Sequence, residues 1–181
     1  MRTIERGGEY LRVADPEWRD PLDGGHAGRG GGRWNPPGSF GSVYLCASVA
    51  VARANVYRLL RDQPYGPEDL NPATAPTLIA TRVPADRYAD LLSARGLESA
   101  GLPPTYPRDA RGRRISWSLC QRVGLAAWDE GHPGIACRSA GPGAPAAGRE
   151  SEELAFFDRG RRLRVRARRR FDDWFWGPGA Q

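Results

Sequence analysis

The sequence predicts an α+β domain, a mixed or antiparallel sheet flanked by a few helices. Three observations carry that expectation. Six short segments have the composition and alternation of strands, while helical spacing recurs clearly in only two. A doubly wound sheet would need more helices. No linker or repeat divides the 181 residues, and 40% apolar content opposes general disorder, so one domain over residues 1–181 is expected.

Residues 9–13 (EYLRV) read as the first strand, ended by the Asp15-Pro16 turn signal. Residues 20–39 are rich in Gly and Pro and read as a surface loop, into which Arg33 and Trp34 are set. Residues 42–47 (SVYLCA) form a strand with Val43, Leu45 and Ala47 on one face and Tyr44 and Cys46 on the other. Ser48 is an N-cap for a helix to about Arg61, with an apolar stripe of Val49, Ala52, Val56, Leu59 and Leu60. Residues 77–83 make a strand and 85–95 a short helix or turn, followed by an irregular Pro- and Gly-rich segment over 101–113. Ser116 caps a second helix to about Trp128, with Leu119, Cys120, Val123 and Ala127 inward. Strands follow over 135–138, 153–157 and 163–171, with a Gly/Pro/Ala loop over 140–148. The last strand alternates Leu163, Val165 and Ala167 with arginines, the pattern of a half-buried strand with one basic face.

Net charge is +6, and all 27 basic residues are Arg. Arginine's planar fork suits phosphate, so the basicity fits a nucleotide, a nucleic acid or an acidic protein. For the arginines over 159–170, a solvated strand face is the first reading, and nucleic acid is not the expected partner. Cys46, Cys120 and Cys137 are widely spaced and form no C-x-x-C pair; with only His26 and His132 to join them, no metal site is expected. No apolar run approaches the roughly 18 residues of a membrane span, and the segment after Met1 has no hydrophobic signal core, so a cytoplasmic protein is expected.

The densest chemical signal is Gly30-Gly31-Gly32-Arg33-Trp34-Asn35. Glycines such as Gly32 let the backbone approach a ligand, Arg33 offers a fork to a pyrophosphate, and Trp34 offers a flat surface. Neither the Rossmann fingerprint nor the P-loop is present. Tyr44 and Asn55 follow Arg33 at successive intervals of eleven residues, on a strand and the helix after it, so the three can line one cleft. Core packing for Tyr44 and a solvated position for Asn55 remain alternative readings. Ser139, where its strand ends, has no His-Asp relay and reads as a ligand-binding or turn-capping hydroxyl.

Taken together, these segments resemble the RES domain, named after Arg, Glu and Ser residues and best known as the toxin half of bacterial pairs with Xre-type antitoxins. The matching pieces are residues 10–13 (YLRV), 31–38 (GGRWNPPG), 43–48 (VYLCAS), 117–124 (WSLCQRVG), 134–140 (GIACRSA) and 152–158 (EELAFFD), in family order. The resemblance implies an ADP-ribosyltransferase-like fold and an enzyme that cleaves NAD⁺ at the nicotinamide–ribose bond, passing ADP-ribose to water, phosphate or another acceptor. It assigns Arg12 and Arg33 to the phosphates or ribose of NAD⁺, with Gly32 and Trp34 beside them. Tyr44 goes to the nicotinamide side, and Ser139 to the nicotinamide ribose or amide. It also implies a separately encoded antitoxin as partner. At the position of the family glutamate this chain has Asn55, which keeps hydrogen bonding and loses charge. Glu152 and Glu153 are the candidate replacements. A diverged enzyme acting on another nucleotide, or a nucleotide- or antitoxin-binding module with little turnover, are the competing roles.

Overall fold

Two long strands frame the molecule in the computed structural model, which describes residues 1–144 and 148–177. They are β1 (Thr3–Ala14) and β3 (Thr77–Leu91), antiparallel from Thr3↔Ala89 to Ala14↔Thr77. Both exceed the lengths expected from patterning. Residues 85–91, expected as a helix or turn, are strand because the first half of β1 supplies a partner ladder, and pairing overrides local propensity. A helix starts only after Ser93, whose hydroxyl accepts from the Gly96 amide to cap α3 (Ala94–Ser99).

Between the long strands lie α1 (Gly25–Gly30), β2 (Ser42–Cys46) and α2 (Val49–Leu60). After α3 come α4 (Trp117–Asp129), β4 (Gly134–Arg138), β5 (Glu152–Phe157), β6 (Val165–Arg169) and α5 (Phe171–Phe175). The sheet runs β1-β2-β5-β4-β3-β6, and the β1–β3 ladder joins its ends into a ring from which β6 branches. Among the described residues only β3 and β4 pair in parallel, so the α+β expectation of a mixed sheet holds. The 20–39 segment differs from a plain loop by containing α1. Part of the 140–148 loop, residues 145–147, and the end of the chain from Pro178 lie outside the described residues.

Ser48 and Ser116 cap α2 and α4 as their sequence contexts indicate, accepting from the amides of Val51 and Leu119. The buried stripe of α2 is Val51, Ala52, Ala54 and Val56, rotated from the expected one, and Leu59 is 57% exposed. The helix is shared between the sheet and α5, where Tyr57 and Phe175 meet at 5.7 Å between ring centroids. Strand β6 also differs from the half-buried strand its alternation predicts. All five of its residues are exposed, because it sits at the sheet edge and among the described residues no layer covers either face. Its arginines have the further effect of discouraging edge-to-edge pairing. Cys46, Cys120 and Cys137 are buried free thiols. Among the described residues no helix is long and apolar enough to cross a membrane.

Strand alternation sends Glu152 and Glu153 to opposite faces of β5. Glu152 is fully buried, accepting from Arg6 Nε at 2.7 and 3.0 Å and from the Tyr10 hydroxyl at 2.5 Å. Burial, then the hydrogen bond to Glu152, pushes the Tyr10 pKa far up, so Tyr10 stays a donor. Removing one partner of a buried ion pair strands the other charge. Arg6→Met is therefore expected to lower stability by about 3 kcal/mol, read as a reduced urea midpoint with an unchanged m-value.

Candidate active site

A cavity of about 340 Å³ opens where the loop after α1, strand β2, helix α2 and the start of α4 converge. Arg12 from β1, Gly32 and Arg33 from the loop, Tyr44 from β2, Asn55 and Arg58 from α2, and Glu153 from β5 all line it. The shared cleft expected for Arg33, Tyr44 and Asn55 is present.

The loop is fixed by a buried polar cluster. The Tyr44 hydroxyl accepts from the Trp34 amide at 2.8 Å and donates to Asn35 Oδ1 at 2.7 Å. Asn35 Nδ2 donates to the carbonyls of Ala27 (2.6 Å) and Phe40 (3.3 Å). Gln121 Nε2 on α4 donates to the Gly32 carbonyl at 2.9 Å. A Cβ on Gly32 would stand 2.4 Å from the Tyr44 hydroxyl oxygen, so this glycine admits the protein's own tyrosine ring. One on Gly124 would stand 1.6 Å from the Trp34 carbonyl oxygen, which is how closely α4 supports the loop. Burial pushes the Tyr44 pKa well above its ordinary value, leaving a neutral hydroxyl whose hydrogen bonds hold the scaffold.

The flat surface expected of Trp34 is not offered to the cavity. Its ring is fully buried, 5.7 Å from Tyr106, because an indole pinned by its own backbone amide to β2 gains more from the core. Another aromatic takes the exposed position: Trp117, at the start of α4, is 51% exposed and lines the cavity.

Arg12 is only 7% exposed, and its Nη1 is buried without a hydrogen-bond partner. Its guanidinium lies 5.2 Å from the Trp18 ring. Burial lowers its pKa to about 10, opposed by Asp23 and Asp20, so it remains a cation at neutral pH. A buried, incompletely satisfied cation on a cavity wall is a site for an anion. Arg33 Nη1 makes one long contact, 3.4 Å, to the Tyr106 hydroxyl.

Asn55 Nδ2 contacts Cys46 Sγ at 3.3 Å, and its Oδ1 accepts from Arg58 Nε at 3.2 Å. Cys46 is the cross-strand neighbour of Glu153, as is Cys137 on the other side. Burial, then the charge of Glu153, raises the Cys46 thiol to about 12. Ser139 is not on the cavity wall. Its hydroxyl donates to Glu153 Oε1 at 2.7 Å and accepts from the Gly141 amide at 3.1 Å. Of the two candidate replacements for a glutamate, Glu153 faces the cavity, whereas Glu152 is spent on Arg6 and Tyr10.

Sequence reading passed over His26, Arg58, Leu59 and Trp117 as cavity residues. The signal for Arg58 and Leu59 was present: they lie three and four residues beyond Asn55, on the same helical face. Among the described residues no group of three or more His, Cys, Asp or Glu side chains stands together to hold a metal ion.

The model of the RES domain matches residues 9–176. The chain belongs to the RES domain family. Among its RES relatives are proteins named NAD(+) phosphorylase MbcT from Mycobacterium bovis and Mycobacterium tuberculosis, 35% identical over 125 residues, which is 68% of this chain. The match spans 63% of the relatives' own length, a little under two thirds. Among solved structures, the crystal structure of the M. tuberculosis MbcT-MbcA toxin-antitoxin complex superposes with a TM-score of 0.73 at 28% identity. That superposition covers 93% of this chain and 86% of the other, so the RES fold extends over nearly all of it.

The scaffold role of Tyr44 has a measurable consequence. Tyr44→Phe leaves the Trp34 amide and Asn35 Oδ1 unpaired in a buried setting, at a cost of about 2 kcal/mol. Faster hydrogen exchange at the Trp34 amide, together with a lower urea midpoint, is the expected result.

Proposed function

We propose that this RES protein consumes NAD⁺: it breaks the nicotinamide–ribose bond and passes ADP-ribose to phosphate or water. The observation that carries the reading is the pairing, in one cavity, of a buried unsatisfied cation, Arg12, with a carboxylate, Glu153. The first fits a diphosphate, and the second fits a sugar carbon that becomes positive. The relatives named NAD(+) phosphorylase support the same chemistry.

Arg12 and Arg33 hold the diphosphate, with Gly32 allowing the loop to sit close over Tyr44. Trp117 offers a face to one of the bases. As the bond between ribose C1″ and the nicotinamide nitrogen lengthens, its electron pair leaves with nicotinamide and C1″ gains oxocarbenium character. Glu153 stabilises that charge, oriented by the Ser139 hydroxyl. Asn55 and Trp34 act through position: Asn55 keeps Arg58 on the cavity wall, and Trp34 carries the backbone that fixes Arg33. An acceptor oxygen then bonds to C1″.

The chain works as a single domain in the cytoplasm, where NAD⁺ is available, with NAD⁺ as substrate and no metal. A separately encoded antitoxin, of the Xre type, is the proposed partner. Its support is the similarity to a toxin solved with its antitoxin.

Incubating the purified protein with NAD⁺ and phosphate and measuring free nicotinamide tests this directly. Release is expected from the wild type, with Glu153→Gln reducing it about 100-fold and Arg33→Ala mainly raising KM. A wild type that frees no nicotinamide above buffer would sink the proposal, and a fully active Glu153→Gln would remove the assigned carboxylate.

A further inference from the structure

We propose that strand β6 and the end of α5 form a docking surface for an acidic segment of a partner protein, with Trp176 and Tyr57 as an apolar anchor beside a row of arginines. The surface is separate from the NAD⁺-cleaving reading, because none of these residues lines the cavity.

Charge sets the chemistry of the partner. Eight arginines and no acid lie between Asp158 and Asp172. Two of them are occupied: Arg159 donates to the carbonyls of Trp128 and His132, and Arg161 pairs with Asp86 at 2.8 Å. The others, Arg162, Arg164, Arg166, Arg168, Arg169 and Arg170, are exposed, and among the described residues none forms an ion pair. A short edge strand needs little charge to resist pairing with a second copy of itself. Guanidinium groups in a row without counter-charge repel one another, so an acidic partner relieves a repulsion that the fold leaves in place.

The row is held on fixed backbone. Thr81 Oγ1 donates to the Arg164 carbonyl at 2.9 Å beside the start of β6, and the strand follows β3 from Thr81↔Val165 to Leu78↔Arg169. At its other end α5 buries Phe171, Trp174 and Phe175 with Val51, Val56 and Leu78, and Trp174 Nε1 donates to the Pro76 carbonyl at 3.3 Å. A partner therefore meets arginines whose roots need little ordering.

Aromatic side chains mark where the row ends. Trp176 is 49% exposed and Tyr57 47%, and their rings lie 4.7 and 5.7 Å from that of Phe175 between centroids. Trp176 also meets Phe171, the residue after Arg170, at 6.3 Å. Exposed Trp and Tyr on a buried aromatic base, next to unpaired arginines, are the residue types in which binding energy concentrates at protein interfaces. Nucleic acid fits less well. A single-strand platform sets aromatic faces among its cations so that successive bases stack, whereas the residues between the arginines of β6 are Val165 and Ala167. A major groove takes a helix or a two-stranded ribbon, and on β3 beside β6 the residues Leu78, Ile79 and Thr81 are buried.

The full-length protein is titrated, at one ionic strength, with a fluorescent peptide of alternating Glu and Ser that ends in Phe-Leu. The same peptide ending in Ser-Ser and a single-stranded oligonucleotide of equal charge are titrated alongside. The Phe-Leu peptide is expected to bind most tightly. Arg166→Glu/Arg168→Glu, at exposed positions, weakens it by at least about tenfold, and Trp176→Ala removes its advantage over the Ser-Ser peptide. Tighter binding of the oligonucleotide would assign the row to nucleic acid and overturn the proposal. So would a wild type that does not bind the peptide, or an affinity that charge reversal leaves unaltered. Equal binding of the two peptides by the wild type would overturn the aromatic anchor. Each of these outcomes is read without NAD⁺, so none depends on whether the protein frees nicotinamide.

Discussion

The site depends on one hydroxyl. The Tyr44 hydroxyl accepts a hydrogen bond from the Trp34 amide and donates one to Asn35 Oδ1, and Asn35 Nδ2 donates in turn to the carbonyls of Ala27 and Phe40. Strand β2, the loop and the end of α1 thereby become one rigid piece. Asn35 is fully buried, so each of these bonds is made where an unmade one would be expensive. Arg33 lies between two residues, Gly32 and Trp34, whose backbones are both held from outside the loop. Its guanidinium therefore starts from a fixed root, which a Gly-rich loop could not otherwise provide. That is preorganisation of the kind that lets a charged group favour a transition state without reorganising.

Charge placement follows from the strand that carries it. β5 is paired on both sides, to β2 and β4, and Glu153 stands between Cys46 and Cys137. A carboxylate in that position has far less freedom than one on a helix near its end. Its neighbours are two buried thiols and the Ser139 hydroxyl, and among the described residues it makes no ion pair. Asn55 faces the same cavity from α2, where its amide ties Arg58 and Cys46 together. The cavity thus has a neutral group on the helix and a negative one on the sheet.

What was legible in the sequence was whatever depends on near neighbours in the chain. The Ser48 and Ser116 caps, the alternation of 42–47 and the shared cleft of Arg33, Tyr44 and Asn55 all follow from local spacing. What was not legible depends on partners remote in the chain. Residues 85–91 became strand because Thr3 to Arg6 lie alongside, and nothing in their own pattern announces it. The choice between Glu152 and Glu153 turns on which face of β5 meets Arg6 and Tyr10, a fact of register. Trp34 looked like a ligand surface because a tryptophan in a glycine loop is conspicuous, yet its backbone N–H donates a hydrogen bond to the Tyr44 hydroxyl and the ring turns inward. Half-burial of β6 failed for the opposite reason, since alternation is necessary for a half-buried strand and the covering layer is absent.

The electrostatic balance of the cavity argues that it is kept unfinished for a ligand. Arg12, Arg33 and Arg58 line it against a single carboxylate, and Arg12 has a buried donor atom that no protein group meets. A fold selected only for stability would fill that position or replace it with an apolar side chain, because an unsatisfied buried cation is a cost. An anion arriving at Arg12 recovers the lost hydrogen bond and offsets the excess charge in the same step, so binding and folding are linked: the occupied cavity is the more stable state. The dinucleotide proposed here brings two negative phosphates to the arginines and a positive nicotinamide ring toward Glu153. Its charges run in the order that the wall requires, and cleavage removes the positive end first, leaving the diphosphate still gripped while an acceptor enters from the mouth.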